Sequence, residues 1–192
     1  MLNEQFRMPA SIGSLVSQLF YKKELKNGMI KNTKQFYDPE NIIRWINVEG
    51  EHKLEKTSSY NKDQVQKIIE LLEQIDRTLN QRKIRKTIGI ITPYNAQKRR
   101  LRSEVEKCGF KNFDELKIDT VDAFQGEEAD IIIYSTVKTT YGNLSFLLDS
   151  KRLNVAISRV KENLIFMGKK SFFENLRSDE KNIFNAILQV CR

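Results

Sequence analysis

Apolar residues along this chain gather in five short runs rich in Ile and Val, at 42–48, 88–92, 118–121, 131–137 and 164–168. Runs of that length and β-branched content predict strands. Between most of them the apolar spacing turns helical. Asn61 followed by Gln64 resembles a capping box. Val65, Ile68, Ile69, Leu72, Ile75 and Leu79 then fall on one face of a long amphipathic helix. A second helix is expected after Pro93, with Leu101, Val105 and Cys108 on its apolar side, and a third over 151–160. A terminal helix is expected over 180–191, where Ile183, Phe184, Ile187 and Leu188 repeat.

Strands alternating with helices predict an α/β fold whose mostly parallel sheet is covered on both faces. The unbroken Ile131-Ile132-Ile133 marks a central strand, because polar alternation appears only where one face meets water. Segments 26–40 and 49–60 are polar, lack a period and read as surface connections. No repeat or composition shift divides the 192 residues, so one domain over 1–192 is expected.

Charge narrows the picture only modestly. The 33 Lys and Arg against 25 Asp and Glu give a formal charge of +8, which suits a phosphate-bearing partner and equally serves solubility. Cys108 and Cys191 are too few for a disulfide framework, and with the lone His52 they assemble no zinc pattern, so both read as small core residues. No apolar run approaches the ~18 residues that span a bilayer, and the N-terminal residues lack a signal peptide's apolar stretch. A cytoplasmic protein without a membrane partner is expected.

Four segments carry candidate chemistry. Gln5-Phe6-Arg7-Met8-Pro9 sets an arginine beside an aromatic ahead of a proline-bounded helix start. Ile91-Thr92-Pro93-Tyr94-Asn95-Ala96-Gln97 passes from a strand end into a helix, where parallel sheets present polar groups to ligands. Thr92, Tyr94, Asn95 and Gln97 are therefore placed to touch a polar ligand, and an exposed Tyr94 would offer a base a stacking surface. The nine basic and no acidic residues between Arg77 and Arg102 suit either a solvated face or a nucleic acid.

The third segment, Asp119 to Glu128, lies between two strands. Gly126 permits a tight turn there and Thr120 offers a hydroxyl to a phosphate. Its carboxylates Asp122, Glu127 and Glu128 sit on a turning loop with no histidine beside them, so no metal site is assigned. The fourth segment is Lys151 to Val160. On a helix, Leu153, Ala156, Ile157 and Val160 would form one stripe, with Arg152 and Arg159 one above the other along its edge. Arginines so placed either pair with carboxylates or grip a phosphoryl group.

Taken together and in order, Gln-Phe-Arg-Met, Ile-Thr-Pro-Tyr-Asn-Ala-Gln, Thr-Val-Asp-Ala-Phe-Gln-Gly-Glu-Glu and Arg-Leu-Asn-Val-Ala-Ile-Ser-Arg closely resemble the second RecA-like domain of superfamily 1 helicases, in the up-frameshift branch. The resemblance spans nearly the whole chain. It implies a RecA-like (P-loop NTPase-like) three-layer sandwich. It also implies that Phe6 packs on adenine, that Arg7 and Arg159 act catalytically on the γ-phosphate, and that Glu128 contacts the ribose, with Gln125 and Gly126 shaping its loop. Thr92, Pro93, Tyr94 and Asn95, with Thr120 and Asp122, fall in segments that touch single-stranded DNA or RNA. The chain departs from the family where Phe6 replaces a common tyrosine, where Met8 and Pro9 join without an intervening histidine, and where Lys161 replaces a frequent arginine.

A nucleotide hydrolase of this type needs a G-x-x-x-x-G-K-[ST] loop and a carboxylate that holds magnesium. Neither occurs. The Walker A loop is absent, since Gly168-Lys169 is followed by Lys170 and Asn163 stands where the leading glycine would be. The resemblance implies that ATP and Mg2+ belong to the full-length protein, with Mg2+ held by a first RecA-like motor domain preceding this one. The chain alone is then expected to be inactive as an ATP hydrolase. The alternative is a free-standing nucleic-acid-binding module that has lost hydrolysis. A sugar-phosphate enzyme is disfavoured, because no catalytic base or glycine-rich loop follows a strand.

Overall fold

A computed structural model describes residues 4–28, 37–176 and 182–191. The chain begins with β1 (Glu4–Gln5), α1 (Ala10–Phe20), β2 (Lys26–Asn27) and β3 (Ile43–Asn47). Next come a small hairpin, β4 (Lys53–Glu55) and β5 (Ser58–Tyr60), the long helix α2 (Lys62–Arg82), β6 (Lys86–Thr92) and α3 (Asn95–Val105). The rest comprises β7 (Phe113–Thr120), β8 (Ala129–Ser135), α4 (Ser145–Leu148), α5 (Ser150–Ile157), β9 (Val160–Gly168), α6 (Lys170–Glu174) and α7 (Ile183–Val190).

Five parallel strands form the central sheet in the order β3-β9-β8-β6-β7. Side chains alternate between its faces, so each apolar run feeds two cores. Ile88, Ile90, Ile131, Ile133, Ile165 and Met167 pack with Ile68, Leu72 and Leu79 of α2 and Leu101 of α3. On the other face, Ile91, Ile132, Tyr134, Leu164 and Phe166 pack with Ile12 of α1, Leu153 of α5 and Ile187 of α7. That is the RecA-like α/β sandwich expected from the sequence, with β8 doubly covered as its three isoleucines require. Cys108 and Cys191 sit half-buried at the edges of these cores, and burial pushes the Cys191 thiol up to about 12. Among the described residues, no helix is long and apolar enough to cross a membrane.

Three expectations change. First, the helix expected over 151–160 stops at Ile157, with Ser158 as its C-cap, because Val160 pairs with Ala129 and opens β9. Arg152 and Arg159 therefore do not stack on one helical edge. Second, segment 49–60 is no plain connection, since it holds the β4–β5 hairpin. Glu55 of that hairpin accepts hydrogen bonds from Arg99 and Arg100 of α3, both at 2.6 Å, which hold its carboxyl below the usual range. Lys98 and Arg102 likewise pair with Asp119, so much of the basic run on α3 is matched internally. Of 26–40, Lys26–Asn27 pairs with β1 as β2, while 29–36 lies outside the described residues, as does the start of the expected terminal helix at 180–181.

Third, the capping box is only half made. Asn61 caps α2 by accepting from the Gln64 backbone N–H at 3.0 Å. The Gln64 amide does not return the bond. Its Oε1 instead accepts from Ser135 Oγ at 2.8 Å and from the Val137 N–H at 3.0 Å. The Asn61 N–H donates to Gln97 Oε1, and Gln97 Nε2 donates to Ser135 Oγ. All four of these side chains are fully buried, so the network ties α2, α3 and the end of β8 with bonds that would be costly to leave unmade. Gln97, expected to face a ligand, is part of this frame.

Candidate functional site

The structure collects the chemistry-bearing residues at two ends of the sheet. One cluster lies where β8 and β9 begin. The Gln5 carboxamide shapes the Phe6-Arg7 turn, because its Oε1 accepts from the Arg7 and Met8 N–H groups while its Nε2 donates to the Met8 carbonyl. Arg7 is thereby turned toward Glu128, with which it pairs at 2.5 Å, and it donates to the Ser158 carbonyl at 3.4 Å. Lys161 approaches the same carboxylate at 3.3 Å. Arg159, immediately after Ser158, makes no ion pair among the described residues, and its Nε is buried without a partner. Its segment-mate differs sharply, since Arg152 is held by Asp122 at 3.2 Å and Asp149 at 3.8 Å.

Phe6 stands over Gly28, where a Cβ would collide with its ring, and is nevertheless 63% exposed. Such an aromatic face costs solvation unless something planar covers it. Gly126 adopts φ +91 with open space where a Cβ would sit, so the turn's backbone, not crowding, calls for glycine. Gln125 on the same turn is exposed.

The second site is a cleft of about 440 Å³ at the carboxyl ends of β6 and β7. Of the residues expected in strand-touching segments, Pro93, Tyr94, Asn95, Thr120 and Asp122 line it. Thr92 does not, being fully buried, with its hydroxyl accepting from the Tyr94 N–H at 3.4 Å. Tyr94 is also less open than expected, at 8% exposure, and burial pushes its phenol well above the ordinary range. A buried ring does not offer a free stacking face. Exposed apolar side chains at the cleft are instead Leu54 of the hairpin and Phe146 of α4, the latter under Arg152 at 4.4 Å from its centroid.

Sequence reasoning missed the hairpin wall, Thr57 to Ser59, together with Lys138, Asn143 and Phe146. One signal lay in Ser58, whose Oγ accepts from the Ala96 N–H at 3.0 Å and so supplies the helix α3 cap that Tyr94 cannot. No local pattern announces Val137, which has φ +66 just before Lys138. A buried β-branched residue in that region is strained and persists only because its surroundings fix it.

The two sites share one connection. Residues 121–128 leave β7 at the cleft and cross one face of the sheet, with the Phe124 ring against Gly89 of β6. They then deliver Glu128 to the cation cluster. The sites are separated by about the length of β8, roughly 20 Å for its seven residues.

The sheet thus carries an arginine–carboxylate cluster at one end and a polar cleft at the other. Comparison with known proteins gives the family. Residues 1–171 match the AAA domain family. The chain is 32% identical to helicase sen1 of Schizosaccharomyces pombe over 94% of its own length and 11% of that protein's. It is 33% identical to an ATP-dependent helicase of Methanocaldococcus jannaschii, over 98% of this chain and 28% of the other. A putative regulator of nonsense transcripts 1 from Takifugu rubripes is 30% identical over 94% of this chain and 18% of its own length. The chain belongs to the AAA domain family, and nearly its whole length is similar to a segment of these helicases and of the nonsense-transcript regulator. It spans less than a third of each of these relatives.

Proposed function

We propose that this domain supplies one half of an ATP site to a helicase or translocase and grips a single strand of DNA or RNA in its cleft. The other half, a phosphate loop and the carboxylate that holds Mg2+, lies on a first motor domain of the same parent chain. The observation that carries this reading is Arg159. It makes no ion pair among the described residues and follows Ser158, whose carbonyl Arg7 reaches, while Arg152 is paired with Asp122 and Asp149. A cation left unmatched in a folded domain suits a partner charge that arrives later.

The residues present fit a nucleoside triphosphate. Phe6 offers its exposed ring to adenine, Glu128 is positioned for the ribose, and Arg7 and Arg159 for the γ-phosphate, with Gln125 and Gly126 forming the turn beside them. Hydrolysis of the terminal phosphoanhydride supplies the free energy of the cycle. Arg7 must give up part of its contact with Glu128 to reach a phosphate. Through residues 121–128 that exchange shifts Thr120 and Asp122 in the cleft, which changes the grip on the strand.

The chain alone should bind a fluorescent oligonucleotide and hydrolyse no ATP. Asn95→Ala with Thr120→Ala should weaken strand binding without changing the urea midpoint. Strand-stimulated hydrolysis by the isolated chain, abolished by Arg159→Ala, would overturn the half-site reading.

A further inference from the structure

We propose that Lys138 is the phosphate-gripping cation of the strand cleft. The inference rests on the strand-binding reading above and adds the residue that recognises the backbone. Two cations line the cleft, Arg152 and Lys138. Arg152 is neutralised by Asp122 and Asp149, whereas Lys138 has no carboxylate partner among the described residues. The residue is only 8% exposed, with Nζ 5.5 Å from the centre of the Tyr94 ring and 3.3 Å from His52 Nε2. A buried ammonium without a counter-ion is expensive, and an arriving phosphate oxygen removes that cost.

The surroundings are built to aim it. Lys138 follows Val137, whose left-handed backbone is pinned by Gln64 Oε1 at its N–H and approached by Asn61 Nδ2 at its carbonyl. His52 comes from the segment preceding the hairpin, and its Nδ1 accepts from the Thr139 N–H at 3.3 Å and lies 3.1 Å from Thr139 Oγ1. Because Nδ1 accepts there, the neutral ring carries its proton on Nε2, so His52 packs beside the Lys138 ammonium and offers it no acceptor. Burial lowers the basicity of Lys138 and, with help from Lys138, that of His52. An imidazole that stays neutral beside the lysine adds no charge to repel it.

The test is fluorescence anisotropy of the 192-residue chain with a labelled oligothymidylate across a salt series, for wild type, Lys138→Met and Lys138→Arg. Single-strand binding loses about 0.7 in the slope of log affinity against log salt for each phosphate contact removed. Lys138→Met keeps the apolar stem against Tyr94 and should bring the slope about 0.7 closer to zero, with affinity falling several-fold. Lys138→Arg should retain the wild-type slope. Tripolyphosphate added at the same ionic strength should compete only weakly, because the seat belongs to a strand spread across the cleft. Efficient displacement by tripolyphosphate would make the seat one for free phosphate and overturn its assignment to a strand. Strand binding by wild type with an unchanged slope in Lys138→Met would overturn the role of Lys138 alone. No binding by wild type would overturn the cleft reading and this inference with it.

Discussion

Removing the Asn61 side chain tests the buried frame from which the cleft is built. Asn61→Ala takes away the cap of α2, worth about 1 kcal/mol. It also strips a donor from the Gly50 carbonyl, bonded at 2.7 Å, and from the Val137 carbonyl, at 3.4 Å. Buried polar groups left without partners cost about 1–3 kcal/mol each. The short bond to Gly50 counts toward the middle of that range and the long one to Val137 at its lower end, for a total of about 3–4 kcal/mol. A domain of this size loses roughly 2–4 °C of Tm per kcal/mol, so the variant should melt roughly 6–16 °C lower. Urea unfolding followed by fluorescence of the single tryptophan, Trp45, which stacks on Phe166 in the core, reads the change directly. Asn61→Ser restores an acceptor for the Gln64 N–H without the lost donors, and should recover only about 1 kcal/mol. A loss below 1 kcal/mol in Asn61→Ala, or complete recovery in Asn61→Ser, would refute the bridging role.

Two further outcomes are expected. Lys86 and Glu162 form a buried pair at 2.6 Å near the opposite end of the sheet. Lys86→Met alone should therefore cost about 3–5 kcal/mol in urea unfolding, while Lys86→Met with Glu162→Leu should recover most of it. His52 has its folded pKa below the ordinary 6.5, chiefly through burial and then through Lys138, with Glu51 opposing. The unfolded chain thus binds that proton more readily. Stability should be full above about pH 6.5 and decline as pH falls through it toward the folded value, and His52→Gln should flatten the profile between about pH 5 and 7.

What the sequence made legible was whatever a local period encodes. The runs of β6, β8 and β9 are continuous because both faces are buried, and α2 declares itself through a 21-residue amphipathic repeat. The edge strand β7 was seen only at its end, because exposed Asp114 and Glu115 break its apolar pattern. Charges there suit an edge, where pairing with another chain must be discouraged. The hairpin was invisible for a different reason. Lys53, Glu55 and Ser58 have little core to face and are fixed by partners distant in the chain, Arg99, Arg100 and the start of α3. Tertiary competition likewise redirected Gln64 from its cap to Ser135 and Val137, and drew Val160 from a helix into β9. At the sites, motif order pointed to Arg7 and Glu128, which the fold brings together, and to five residues that line the cleft. It could not reveal that Thr92 turns inward or that Lys138 lines the cleft, since both depend on backbone geometry at the strand ends.

Single-turnover ATP hydrolysis by the proposed two-domain parent protein, with saturating single strand, tests the half-site account most directly when wild type is compared with Arg159→Ala. If Arg159 stabilises charge on the γ-phosphate, the rate constant should fall by about a thousandfold or more, with strand affinity within about twofold of wild type. A fall of less than tenfold, or one that merely tracks lost strand binding, would contradict it.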